Sequence, residues 1–140
     1  MSLETVNPKD LGRASGFSHG LLGREEGRVL FIAGQIGVQD VESSLNEWPL
    51  IAQFGEALRR VLRVVEEAGG APSDIGRMTV YVTDMDQYRN SRGVLGPVWK
   101  TWMGDHYPAM TLVEVKSLVD SKALVEIEAT AVIGGLVSGD

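Results

Sequence analysis

YPAMTLVEVKSLVDSKALVEIEATAVI, residues 107–133, decides how this chain folds. It reads as two β-strands joined by a short polar connection. Val113 and Val115 alternate with Leu112 and Glu114. Then Val125, Ile127, Ala129 and Ala131 alternate with Glu126, Glu128 and Thr130. A period of two over this length marks half-buried strands. Carboxylates recur on one face of the last strand, where glutamate is ordinarily disfavoured. That face is either solvated or chemical, and the strand alone leaves both readings open.

Working upstream, residues 75–83 (IGRMTVYVT) repeat the pattern, with Met78, Val80 and Val82 alternating against Thr79, Tyr81 and Thr83. Asp84 or Asp86 can cap a helix that follows. Tyr88, Val94, Leu95, Val98, Trp99 and Trp102 make its apolar side. Gly93, Gly96 and Pro97 predict a break near Gly96, with Pro97 opening a new turn. Trp99 and Trp102, at i,i+3 spacing, read as core. Residues 49–68 form the strongest helix. Leu50, Ile51, Phe54, Ala57, Leu58, Val61, Leu62 and Val65 make a broad stripe opposite Gln53, Glu56, Arg59, Arg60, Arg63 and Glu67. Glu56 and Arg60 pair at i,i+4. Pro49 suits the first turn, and Gly69-Gly70 supplies the stop.

Residues 28–33 (RVLFIA) are nearly continuously apolar and predict a strand buried on both faces. They end in Gly34-Gln35-Ile36-Gly37, where glycines let a ligand or another backbone approach closely. Residues 16–22 suggest a short strand with Phe17 and His19 on one side, and 23–27 a hairpin loop. Residues 1–14 read as a surface arm, 39–48 as a polar loop and 134–140 as a tail.

The chain has 140 residues, 44% of them hydrophobic and 23% charged, which suits one domain with a real core. A net charge of −6 argues against nucleic-acid and membrane surfaces. There is no cysteine, which excludes a thiolate nucleophile, a disulfide scaffold and thiolate zinc sites. No apolar run reaches membrane-span length and no signal peptide is visible, so a cytoplasmic protein is expected. No GxGxxG or Walker pattern supports a nucleotide-phosphate site. The order β-β-α-β-α-β-β predicts an α+β fold with two helices on one face of a mixed sheet. The second face keeps many apolar side chains and no helix to cover it, so self-association is expected to bury it.

The landmarks GFSHG at 16–20, VLFIAGQIG at 29–37, Ala68-Gly69, Asp74-Ile75, VYVTDMDQY at 80–88, HYPAMTLVEV at 106–115 and VEIEATAV at 125–132 come in a specific order and spacing. Together they resemble the reactive intermediate deaminase family, also called Rid or YjgF, from about Asn7 to Ile133. The resemblance implies a chorismate-mutase-like fold and a homotrimer with a small-molecule pocket at each subunit interface. It also implies hydrolysis of enamines and imines to a 2-oxo acid and ammonia, with no metal or organic cofactor.

That chemistry needs a cation for the substrate carboxylate and an acceptor that holds water against the imine carbon. The resemblance puts an arginine directly after Pro-Ala, where this chain has Met110. It often puts a tyrosine at Phe17, a serine at Ala33 and a cysteine at Leu112. Glu126 matches the pocket glutamate, and Gly34 matches a backbone contact. The pocket thus keeps one carboxylate and loses its anion clamp and two hydroxyls. A charged hydrogen bond contributes about 1.5–3 kcal/mol, so affinity for a small imino acid should fall by about one to two orders of magnitude or more. Efficient 2-iminopropanoate deamination is not expected. The ligand is expected to be less anionic, more apolar, or cationic.

Several residues keep two readings. His19 is a base or ligand contact beside Phe17, or a polar strand-edge residue. His106 reads as an exposed loop histidine. Glu114 either faces Glu126 across paired strands, making an acid/base pair, or faces solvent. Lys116, Arg92 and Arg13 are candidates to replace the missing arginine. Two histidines and no cysteine make a metal centre improbable. The functional alternatives are a hydrolase with altered substrate and a non-catalytic trimer that binds a metabolite in the same pockets. A ribonuclease or translation inhibitor, as some relatives have been described, fits poorly with the negative charge.

Overall fold

The computed structural model describes residues 3–38 and 49–135. Its main sheet contains β3 (Arg28–Ile36), β6 (Val125–Ile133), β4 (Ile75–Val82) and β5 (Ala109–Glu114), in that spatial order. β6 runs antiparallel to both neighbours, whereas β4 and β5 are parallel. A parallel pair needs a long crossover, and α2 (Met85–Met103) supplies it. α1 (Leu50–Glu67) packs with α2 on the same face. The architecture is the predicted α+β arrangement of two helices on a mixed sheet.

The core lies between that face and the helices. Met78, Val80, Val82, Val125, Ile127 and Ala131 are fully buried against Ala57, Leu58 and Val61 of α1. Leu95, Trp99 and Met103 of α2 complete it. Burying each large aliphatic side chain stabilises the fold by about 1.5–3 kcal/mol. Gln53, on the predicted polar side of α1, is instead buried. Its amide donates to the Lys122 carbonyl at 3.1 Å and accepts from the Leu124 N–H at 2.8 Å, holding the turn that leads into β6. Gly37 packs against the Gln53 backbone with no room for a Cβ, so the glycine after β3 does admit another backbone.

Four expectations need correction. First, β3 is not buried on both faces: Val29 is 55% and Phe31 80% exposed. β3 is an edge strand, and among the described residues its outer face is left uncovered. Second, residues 23–27 do not join a hairpin. β2 (Gly20–Leu22) pairs with a short strand in the predicted arm, β1 (Glu4–Val6), while β3 pairs with β6. Third, α2 runs unbroken through Pro97. The carbonyl that loses its donor belongs to Gly93, which is exposed and open to water, while Leu95 and Trp99 anchor this stretch in the core. Fourth, β5 and β6 are not neighbours, because β4 lies between them. The predicted loop at 39–48 falls outside the described residues, as does the tail beyond 135. Among the described residues no helix is long and apolar enough to cross a membrane.

Candidate functional site

The predicted site residues divide between the two faces of the sheet. On the helix side, alternation along β5 turns Met110 and Leu112 toward α2, in register with Met78 and Val80 of β4. They line a cleft of about 390 Å³ with Phe54, Leu95, Trp99 and Tyr107 as its apolar wall. Tyr88 and Arg92 of α2 stand in the same lining, as does Lys100. Burial pushes the Tyr88 phenol above its ordinary value, and the nearby Arg92 charge opposes that shift. Tyr107 stacks nearly parallel to Trp99, with ring centroids 6.1 Å apart. Neither Arg13 nor Lys116 lines this cleft.

On the opposite face, Glu126 stands between Ile36 and Tyr81 in the cross-strand register. The β3–β6 register shifts between Ile32 and Gln35, so Ala33 and Gly34 form a bulge opposite Glu128. The bulge brings Gly34 against the Glu126 side chain. A Cβ at position 34 would lie 2.8 Å from the Glu126 carboxyl carbon. Only glycine lets backbone and carboxylate approach this closely. Among the described residues the Glu126 carboxylate makes no hydrogen bond. Its neighbour Glu128 accepts from the Tyr81 phenol at 3.1 Å, and that bond raises the phenol's pKa.

Glu114 does not pair with Glu126. It lies in register with Val82, on the helix side, and Oε1 accepts the Met85 N–H at 2.8 Å. Together with Asp84, which accepts from the Gln87 N–H at 3.0 Å, it satisfies the first turn of α2. Of the two readings of Glu114, the acid/base pair is therefore not made within one chain, because β4 separates the two carboxylates and they face opposite ways.

Phe17 and His19 do meet, edge to face, with ring centroids 5.1 Å apart. His19 Nε2–H donates to the Gly12 carbonyl at 3.1 Å, and its backbone N–H donates to Asn7 Oδ1 at 2.8 Å. It closes the arm, the polar strand-edge role. Phe17 lines a different hollow, of about 660 Å³, between the β1–β2 pair and the end of α2. Two of the polar groups there are already engaged. Ser18 Oγ–H donates to the Tyr107 carbonyl at 2.7 Å, and His106 Nε2–H to the Ile75 carbonyl at 2.7 Å. His106 is thus a half-buried structural residue, not an exposed loop histidine.

Tyr88 and Tyr107 belong to the helix-side cleft, whereas the sequence presents Tyr88 only as part of the apolar side of α2 and gives no functional sign for Tyr107. One signal was available for the α2 set: Tyr88, Arg92, Leu95 and Trp99 recur at i, i+4, i+7 and i+11, one helix face. The buried ion pair of Arg24 and Asp74, at 2.6 Å, carried no local signal. It is structural, since Asp74 also accepts the Ala71 N–H and Arg24 Nε–H donates to the Gly134 carbonyl.

Comparison with known proteins gives a consistent result. A family model described as Endoribonuclease L-PSP matches residues 9–133. A RutC family protein of Pyrococcus horikoshii is 31% identical over 75% of this chain and 79% of its own length. A 2-iminobutanoate/2-iminopropanoate deaminase of Mus musculus is 26% identical over 79% of this chain and 78% of its own. The crystal structure of a protein of unknown function of the conserved Rid protein family from Yersinia pestis superposes with a TM-score of 0.78. It is 28% identical and covers 95% of this chain and 100% of its own.

Proposed function

This chain belongs to the Endoribonuclease L-PSP family, the Rid/YjgF group, and on that premise we propose that it hydrolyses an enamine or imine with an altered substrate preference. The observation that carries this reading is the split site. Glu126 and Gly34 sit on the bare face, and Met110 and Leu112 on the helix face. No single chain joins them. A homotrimer would, if the bare face of one subunit met the cleft edge of the next. The exposed Phe31 and Val29 give such a contact an apolar drive. The deaminase named among the relatives supplies the reaction class.

In this scheme water donates a hydrogen bond to the Glu126 carboxylate, which accepts the proton as oxygen adds to the imine carbon. Glu126 passes that proton to the nitrogen, giving the carbinolamine. The same carboxylate then moves the hydroxyl proton to the nitrogen as the C–N bond breaks, releasing ammonia and a carbonyl product. Met110, where the resemblance puts arginine, offers no charge and shifts selection toward apolar contact. Positioned general-base catalysis contributes typically 10²–10⁴-fold.

The test generates imines from several amino acids with an amino-acid oxidase while semicarbazide competes for them. Added protein should suppress semicarbazone formation, and Glu126→Ala should reduce that effect by about a hundredfold or more. No effect on any imine would leave a trimeric metabolite-binding protein as the reading.

A further inference from the structure

We propose that Arg92, from α2, is the anion clamp of the helix-side cleft, and that this cleft takes carboxylates bearing a bulky apolar or aromatic group. The inference deepens the reading above and rests on it for the identity of the cleft as the substrate site. Three observations carry it.

The charge of the lining is the first. The protein is acidic overall, with a net charge of −6. Among the described residues the cleft is lined by two cations, Arg92 and Lys100, and by no aspartate or glutamate. Such local reversal attracts anions.

The availability of the two cations is the second. Lys100 Nζ–H donates to Asp105 at 3.1 Å, which raises its pKa and answers its charge. Among the described residues Arg92 has no acidic partner, whereas the helix arginines Arg59, Arg60, Arg63 and Arg89 each have one. A planar guanidinium with its donors unspent suits bidentate carboxylate recognition.

The shape and chemistry of the wall are the third. Phe54, Leu95, Trp99, Met110 and Leu112 present apolar surface in a volume of about 390 Å³. That is within the range of small-molecule sites and larger than a two- or three-carbon acid needs. Arg92 falls in the middle of the stripe Tyr88–Leu95–Trp99, so its charge is presented beside that wall. Methionine at position 110 then moves the clamp from strand to helix rather than abolishing it, and opens apolar space where a strand arginine would stand.

The experiment titrates the full-length protein with phenylacetate, its neutral analogue phenylacetamide, and acetate, following Trp fluorescence and calorimetry. Phenylacetate should bind, with the other two weaker by about tenfold or more. Arg92→Gln should erase the difference between acid and amide, Arg92→Lys should keep part of it, and Arg89→Gln, one turn away on the same helix, should change nothing. Both positions are exposed, so unchanged thermal unfolding is expected for all three variants. Equal binding of acid and amide, a difference that survives Arg92→Gln, or no binding of any probe would overturn the proposal.

Turnover of an aromatic imino acid, measured in parallel, separates this inference from the hydrolase reading. Charge-dependent binding without turnover keeps the clamp and removes the hydrolase. Turnover whose KM is indifferent to Arg92→Gln does the reverse.

Discussion

The covered and bare faces of the sheet are made by the same four strands and are finished differently. On the covered face Met78, Val80, Val82, Val125 and Ile127 are fully buried, and Glu114 at the edge accepts an amide proton from α2. On the bare face Phe31 is 80% exposed, and Glu126 has no hydrogen-bond partner among the described residues. Alternation of period two puts apolar side chains on both sides of β3, but among the described residues the helices cover only one. Burial is therefore completed within the chain on one side, and among the described residues it is not completed on the other, which is the side the proposed trimer would cover. Glu126, on the unfinished side, is the carboxylate that the proposed hydrolysis uses.

The largest effect should come from breaking the bare face. Phe31→Asp should leave the fold intact and shift sedimentation from a trimer to single chains, and it should abolish imine hydrolysis with the composite site. A variant that stays trimeric and active would place the subunit contact elsewhere. Next is the covered face. Ile127→Ala should destabilise the protein by about 2–5 kcal/mol, the range for large-to-small changes at fully buried sites. Urea unfolding at fixed protein concentration measures it, since the proposed assembly would make stability concentration-dependent. Glu114→Ala should cost less, about 1 kcal/mol, as the loss of a helix-terminal acceptor. Imine hydrolysis should survive it, because Glu114 faces the helix. A loss of turnover without a loss of stability would return Glu114 to the site.

The sequence makes the covered face plain and the bare face obscure. The period of 3.6 in residues 49–68 and the period of two in residues 75–83 and 107–133 each name the residues that bury. Most of those residues do bury, because side-chain direction follows backbone geometry; Val113 is the exception, exposed while its neighbour Leu112 turns toward the helices. What alternation cannot report is neighbour order. β5 and β6 are consecutive in sequence and separated in space by β4, so a Glu114–Glu126 pair looked possible and is not made. RVLFIA looked doubly buried because its composition is apolar throughout, and composition does not say that the helices cover only one of its faces. Pro97 looked like a helix break because the core contacts of Leu95 and Trp99 are tertiary. Arg92 was one of three cations with nothing to rank them, and only its place in the cleft sets it apart from Arg13 and Lys116.

The smallest effect concerns carboxylates on the helix surface, where partnership is local and solvent-screened. Glu56 of α1 accepts from Arg59 at 2.7 Å and Arg60 at 3.0 Å. The Arg59 hydrogen bond is the largest cause holding its carboxyl below the ordinary value, and desolvation opposes it. A carboxylate whose folded pKa is depressed binds its proton less readily in the native state than in the unfolded one. Its contribution to stability is present above the unfolded carboxylate pKa and is lost as pH falls through the lowered folded value. Arg59 is nearly half exposed, so screening limits the effect. Glu56→Gln should cost about 0.5 kcal/mol or less at neutral pH, should cost less still in high salt, and should match the parent protein once the pH is below the range in which Glu56 titrates. Urea midpoints of the two proteins against pH measure this. Curves that stay apart in acid would assign the difference to packing rather than to charge, and would remove Glu56 from the set of partnered carboxylates with which Glu126 is contrasted.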